Sequence, residues 1–224
     1  FKWIECTSAR RWAWAALCGL LTGFSMCVRP YNVALAVLAL TPPARVLGGR
    51  LFPAGRPAGL SDPAPPLQFG RALAESALVV ACVAIGFVPQ LLCWHAEYGT
   101  CIANTDGHRF GLIPWWALHI LFHPLHGLFY WTPAYLLSVI ALVAVSARTG
   151  SHSQITRPFL AVLAAFVFLY GNWHVWSLNV SYGMRGFVDS YCIFTFGFAL
   201  AIEWLFRRGR RGIVAFWTMF ALFG

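Results

Sequence analysis

The stretch from Trp173 to Asp189 carries the densest set of reactive side chains in the sequence. His174, Tyr182, Arg185 and Asp189 fall within sixteen residues, between two long apolar runs. An Arg at a boundary between lipid and water can donate two parallel hydrogen bonds to a phosphate oxyanion, so Arg185 is a candidate phosphate-binding residue, with Tyr182 beside it. Arg185 and Asp189 also stand four residues apart, so an ordinary ion pair at a helix end is the alternative.

Histidines in the preceding polar region form a second set of candidates. His119, His123 and His126 have the spacing i, i+4, i+7, which on a continuous helix would direct three imidazoles to one face and would suit zinc. Pro124 argues against such a helix, and no Cys or carboxylate nearby completes the set. We therefore assign no metal ligand, and retain a divalent metal ion as an alternative cofactor without assigning its site. The residues interpreted as supporting or pocket-lining are Asp189, His174, His123, His126 and Asp106.

Arg29 stands immediately before Pro30, inside the apolar run 12–40. Proline removes a backbone donor and disfavours helix at the preceding residue, so two helical pieces are predicted to meet here, as a hairpin or a deeply kinked helix. Arg29 either extends to the membrane interface or points inward, where it would be a second phosphate-binding residue.

Composition decides the class of protein. Hydrophobic residues make up 59% of the chain and charged residues only 10%. Unpaired backbone groups cannot face hydrocarbon, and uninterrupted apolar runs of about 20 residues do not fit the alternating pattern of a membrane barrel. The sequence therefore predicts an all-α, polytopic transmembrane helical bundle, forming one integral membrane domain over residues 1–224. We expect about five to seven membrane segments, including the broken one at Arg29.

The apolar runs and the polar stretches between them predict the organisation of the chain. Spans are expected at 72–94, 127–147, 158–173 and 188–206, with a further one beginning at Ile213. A short helix within 113–126 is too short to span and is predicted to lie in the membrane interface. The predicted loops are 41–71, 95–127 and 174–187.

Basic residues are distributed unevenly among these loops. Suppose that the start of the chain and the loops 41–71, 148–157 and 207–211 lie on the same side of the membrane. That side then carries twelve of the sixteen basic residues: Arg10, Arg11, Arg45, Arg50, Arg56, Arg71, Arg148, Arg157, Arg207, Arg208, Arg210 and Arg211. The positive-inside rule assigns that side to the cytoplasm, and assigns 95–127 and 174–187 to the extracytoplasmic face. The assignment requires residues 12–40 to enter and leave on the same side, which favours the hairpin. The net charge of +9 is thus interpreted as a topology signal, with no nucleic acid as partner.

Three segments occur in an order and spacing that resemble a known family. They are RRWAWAALCGLLTGFSMCVRP at 10–30, HPLHGLFYWTP at 123–133 and SYGMRGFVDSY at 181–191. Together they resemble bacterial membrane glycosyltransferases of the dolichyl-phosphate-mannose-protein mannosyltransferase type, in the C-type glycosyltransferase superfamily.

The resemblance implies a polyprenyl-phosphate-linked sugar as donor and an active face outside the bacterial cytoplasmic (inner) membrane. Arg185, Arg29 and Tyr182 would bind the donor phosphate, because the leaving phosphate needs cations or hydrogen-bond donors. In the family, an acidic residue in the first outer loop is the catalytic base, and the sequence offers no counterpart. Since the chain opens with Phe1 and stops at Gly224 within an apolar run, we interpret it as a fragment whose base precedes Phe1.

A second interpretation assigns no catalysis. The chain would be a glycosyltransferase-like membrane subunit that packs against other proteins in a larger membrane complex, since a fold does not establish an activity. Eleven Trp and nineteen Phe suit contacts with membrane lipids or membrane-protein partners as well as they suit a donor cleft. An acidic pair in the first outer loop of the missing N-terminal sequence would favour the enzyme.

Overall fold

A computed structural model describes residues 8–44, 69–101, 113–148, 152–173 and 184–223. Every regular element within these ranges is helical, which confirms the predicted all-α class. Two of the elements are 3₁₀ segments, Pro30–Leu40 and Arg185–Ser190. The α-helices are α1 (Ser8–Val28), α2 (Phe69–Tyr98), α3 (Ala117–Phe122), α4 (Leu128–Trp131), α5 (Pro133–Ser146), α6 (Ser153–Gly171), α7 (Tyr191–Phe206) and α8 (Arg210–Phe223).

Four helical segments are long and apolar enough to cross a membrane. They are Arg10–Val28, Phe69–Tyr98, Ser153–Gly171 and Arg185–Phe206. Helix α5 is apolar but shorter, at 14 residues. These elements coincide with the predicted spans to within a few residues, except at 127–147, so the chain has the helices of a polytopic transmembrane bundle.

The chain divides into two compact units, Phe1–Arg109 (unit 1) and Phe110–Gly224 (unit 2). Each unit has its own set of helix contacts, and each is described by itself below. The single integral membrane domain over 1–224 and the sidedness of the loops 41–71, 95–127 and 174–187 stay predictions.

In unit 1, α1 and α2 run parallel and in close contact. Arg11 near the start of α1 meets Glu75 near the start of α2, and Gly23 further along α1 meets Gly86 further along α2. A Cβ atom added at Gly23 would lie 2.9 Å from the Gly86 Cα atom. Two glycines thus let the backbones approach directly, as small residues do in membrane helix pairs.

The predicted break at Arg29 is confirmed. Arg29 is extended (φ −145°, ψ 109°), and Pro30 begins the 3₁₀ segment. That segment returns toward the start of α2, where the Ser76 hydroxyl donates a hydrogen bond to the Ala39 carbonyl. Its eleven residues rise about 2.0 Å each, more than an α-helix would, and cover about 22 Å. Residues 12–40 therefore enter and leave at the same end of unit 1, as the predicted topology requires.

In unit 2, α5 and α7 run parallel, and α6 runs antiparallel to both. Tyr135 near the start of α5 stacks on Phe194 near the start of α7, with ring centroids 4.2 Å apart. Tyr170, at the end of α6, meets Phe187 just before α7. One end of unit 2 therefore gathers residues 113–133, 170–173 and 184–191, and the opposite end carries the turns after α5 and α7.

The predicted span 127–147 is interrupted in the structure. Helix α4 stops at Trp131, Thr132 leaves the helical region (φ −135°, ψ 75°), and Pro133 begins α5. Proline fits the first turn of a helix and disfavours a helical conformation at the residue before it, which agrees with the non-helical Thr132 and with the start of α5 at Pro133. The prediction of one span over 127–147 is therefore wrong, because Pro133 begins a separate helix.

Candidate functional site

Arg185 lies at the end of unit 2 where α7 begins. It is exposed and opens the 3₁₀ segment Arg185–Ser190, in which Gly186 and Phe187 are buried. A Cβ atom at Gly186 would lie 2.6 Å from the ring of Tyr170, so only glycine lets the backbone pack against that ring. The packing fixes the backbone from which the Arg185 side chain projects.

A cluster of aromatic rings packs against the 3₁₀ segment Arg185–Ser190. Phe187 contacts Tyr170, Phe166 and Phe194, with centroid separations of 5.6, 6.1 and 6.4 Å. Tilted aromatic pairs at such separations contribute about 0.5–1.5 kcal/mol each beyond area burial. The cluster ties the start of α7 to the end of α6 and makes a rigid base for Arg185.

Helix α3 docks on the same end of unit 2. The Trp116 N–H donates to the Gly171 carbonyl at 3.0 Å, and a Cβ atom at Gly171 would lie 2.8 Å from the Pro114 Cβ atom. Ile120 is fully buried, whereas Leu118 is exposed. The six-residue helix therefore buries one apolar side chain against the rest of unit 2 and exposes another; its predicted position in the membrane interface stays a prediction.

The three histidines do not share one helix. Helix α3 ends at Phe122 and a turn follows through Pro124, as the proline predicted. His119 and His123 stack with ring centroids 5.6 Å apart. The Leu125 N–H donates to His123 Nδ1 at 3.2 Å, so in the neutral imidazole Nε2 carries the proton. His126 Nδ1 is buried and accepts or donates no hydrogen bond within the described part of the chain.

The structure assigns the remaining candidates as follows. Asp189 is half-buried in the same 3₁₀ segment as Arg185. Arg29 belongs to unit 1, at the hairpin, where its N–H donates to the Ser25 carbonyl at 3.1 Å. His174, Tyr182 and Asp106 lie outside the described residues. Within the described ranges, no group of three or more His, Cys, Asp or Glu residues could hold a metal ion.

Sequence reasoning overlooked a buried ion cluster in unit 1. Glu75 has no exposed side-chain surface, and its Oε2 atom lies 2.9 Å from Arg11 Nε. Its Oε1 atom lies 3.5 Å from Arg71 Nε. Burial of a carboxylate costs free energy that paired cations offset, and the two arginines supply that pairing. The available signal was an acidic residue inside a predicted span, four residues after an arginine.

Comparison with protein-family models, with curated proteins and with solved structures finds no match for this chain. The likeness to membrane mannosyltransferases therefore depends on the three sequence segments alone.

Proposed function

We propose that this chain is a membrane glycosyltransferase that binds a polyprenyl-phosphate-linked sugar at the end of unit 2 carrying Arg185. The observation that carries the proposal is an exposed guanidinium on a rigid aromatic base, at the start of a helical segment long and apolar enough to cross a membrane. If that segment spans the membrane, its start would lie where hydrocarbon meets water, which is also where the phosphate of a lipid-linked sugar would lie.

The surroundings of Arg185 suit both parts of such a donor. The planar guanidinium can donate two hydrogen bonds to one phosphate, which a point charge such as an ammonium cannot do in fixed geometry. At the same end of unit 2, Trp115 and Leu118 are exposed apolar side chains that can contact an isoprenoid chain. His119 and His123 add nitrogen atoms that can hydrogen-bond to phosphate or sugar oxygens.

In the proposed reaction, the acceptor oxygen forms a bond to the anomeric carbon as the bond from that carbon to the phosphate oxygen breaks. The electron pair stays on the leaving phosphate, and Arg185 stabilises the charge that develops there. The acceptor proton passes to a general base.

We assign the end of unit 2 that carries Arg185 to the extracytoplasmic face of a bacterial inner membrane, because the opposite end of unit 2 carries Arg148 and the run Arg207–Arg211.

The proposal predicts a large effect of Arg185→Ala. In proteoliposomes supplied with a radiolabelled polyprenyl-phosphate sugar, we expect transfer to fall by roughly 100- to 1,000-fold, as when one donor to a developing oxyanion is removed. Arg185→Lys should retain part of the activity, since it keeps the charge and loses the bidentate geometry. Arg207→Ala, an exposed arginine at the other end of unit 2, is the matched control and should transfer as the wild type does.

Donor binding, measured in parallel, separates the outcomes. Wild-type binding and transfer by Arg185→Ala would contradict the phosphate role. Donor binding that depends on Arg185, without transfer by the wild type in the presence of acceptors, would identify a donor-binding membrane subunit instead of an enzyme.

A further inference from the structure

The turn between α7 and α8 concentrates positive charge at the opposite end of unit 2 from Arg185. Arg207, Arg208, Arg210 and Arg211 surround Gly209, whose positive φ of 66° makes the turn tight. Glycine adopts this conformation without strain, whereas other residues do so only at a cost. The tight turn brings the last turn of α7 beside the first two turns of α8, where the Phe206 and Phe216 ring centroids are 5.6 Å apart.

Only one of these arginines has a carboxylate partner in the described part of the chain. Arg207 Nη2 lies 2.6 Å from Glu203 Oε1. Arg208, Arg210 and Arg211 are exposed, and no ion pair within the described ranges neutralises them. The turn therefore has an excess of about three positive charges at a helix end, which attracts anions.

Two of the unneutralised arginines line a cavity. The cavity has a volume of about 390 Å³ and is lined by Leu205, Arg208, Arg211 and Gly212. The Arg208 guanidinium stacks over the Trp204 ring, 3.9 Å from its centroid. A stacked guanidinium loses little further freedom when it binds an anion, so the cavity has a pre-positioned cation on one wall.

The surface beside the cavity is apolar. Ile213, Val214 and Trp217 on α8 are exposed, as is Trp204 on α7. Tryptophan is enriched where hydrocarbon meets headgroups, and exposed aliphatic side chains next to it suit acyl chains. Cations beside an apolar, Trp-bearing surface match a ligand that is itself anionic at one end and hydrocarbon at the other.

We propose that Leu205, Arg208, Arg211 and Gly212 form a binding site for the phosphate of an anionic phospholipid. Arg208 and Arg211 would bind the phosphodiester oxygens, and Leu205 would contact the glycerol and the first acyl carbons. An isolated phosphate ion is fully hydrated and makes no use of the apolar wall, so the lipid is favoured over a soluble anion. The site is independent of the proposed donor site, because it lies at the other end of unit 2.

The test uses the intact chain purified in detergent. Native mass spectrometry titrations with phosphatidylglycerol and with phosphatidylcholine give the affinity for an anionic and a zwitterionic lipid. Each arginine near a membrane surface contributes about 1 kcal/mol to binding an anionic lipid, so the double variant Arg208→Gln/Arg211→Gln should bind phosphatidylglycerol roughly 25-fold more weakly. Phosphatidylcholine should bind the wild type more weakly than phosphatidylglycerol does, and the double variant should bind phosphatidylcholine about as the wild type does.

The matched control is Arg10→Gln/Arg148→Gln, which removes the same charge from two exposed arginines outside the turn. It should bind phosphatidylglycerol as the wild type does. An equal loss in both double variants would attribute binding to net charge and overturn the site, as would no loss in Arg208→Gln/Arg211→Gln. Displacement of phosphatidylglycerol by millimolar inorganic phosphate would overturn the assignment to a lipid. Arg185→Ala should leave this binding intact, which distinguishes failure here from failure of the proposed function.

Discussion

Two regions of the molecule contain an Arg–Glu ion pair, and they differ in how far the paired side chains are exposed to solvent. At the start of α1 and α2, Arg11 and Glu75 are withdrawn from solvent, with 10% and 0% of their side chains exposed. At the turn after α7, Arg207 and Glu203 form a pair of the same kind with 77% and 53% exposed. The first pair joins two helices, whereas the second is a local i, i+4 pair at the end of α7 and leaves neighbouring arginines unneutralised.

The difference follows from the medium around the charges. A buried ion has lost its hydration and depends on its partner, so removing one member of a buried pair costs about 3–5 kcal/mol. An exposed pair is screened by water and contributes about 0–1 kcal/mol. Arginines in the first region therefore serve the packing of unit 1, and those in the second are available for a ligand.

The largest expected effect that tests this contrast is that of Glu75→Gln. The change leaves Arg11 buried without a countercharge, so the free energy of unfolding should fall by about 3–5 kcal/mol. Reversible unfolding in mixed micelles, followed by circular dichroism, measures it. Arg11→Met combined with Glu75→Gln should recover part of the loss, because the unpaired charge is then removed. A loss below about 1 kcal/mol would mean that water reaches the cluster.

An intermediate effect is expected of Gly23→Ala, which tests the close helix contact that accompanies the buried cluster. The added methyl group would meet the backbone of Val83 and Gly86, and such overpacking costs about 1–3 kcal/mol. Gly70→Ala is the matched control in α2, since nothing lies within 4 Å of its added Cβ atom. Equal stability of the two variants in the same unfolding assay would contradict the direct contact of α1 with α2.

The smallest effect is expected of Glu203→Gln, the exposed counterpart of Glu75→Gln. An i, i+4 pair on a helix surface contributes about 0.3–0.5 kcal/mol, so stability should change by no more than that. The same micelle unfolding curves measure it. A loss as large as that of Glu75→Gln would remove the contrast between the two regions.

Much of the fold was predictable because it follows from local chemistry. Apolar runs gave the helices, Pro30 gave the hairpin after α1, and Pro124 ended α3 before the histidine set was complete. The break at Thr132 carried the same kind of signal in Pro133 and was overlooked. For the candidate site, the sequence indicated Arg185 as a candidate phosphate-binding residue, but not that Gly186 and Tyr170 would fix the segment carrying it.

By itself, the sequence determined that this chain is helical, apolar enough for a membrane, and broken at Pro30, since propensity and hydropathy act between near neighbours. Helices α2 and α6 continue through Pro89 and Pro158. Only the tertiary structure decided which charges are neutralised. Arg11 and Glu75 are 64 residues apart, and their pairing depends on the parallel approach of α1 and α2 through Gly23 and Gly86. The spacing of Gly19 and Gly23 in α1 permits a close approach by another helix. It does not specify α2 as the partner, because burial and partner choice arise when two surfaces pack together.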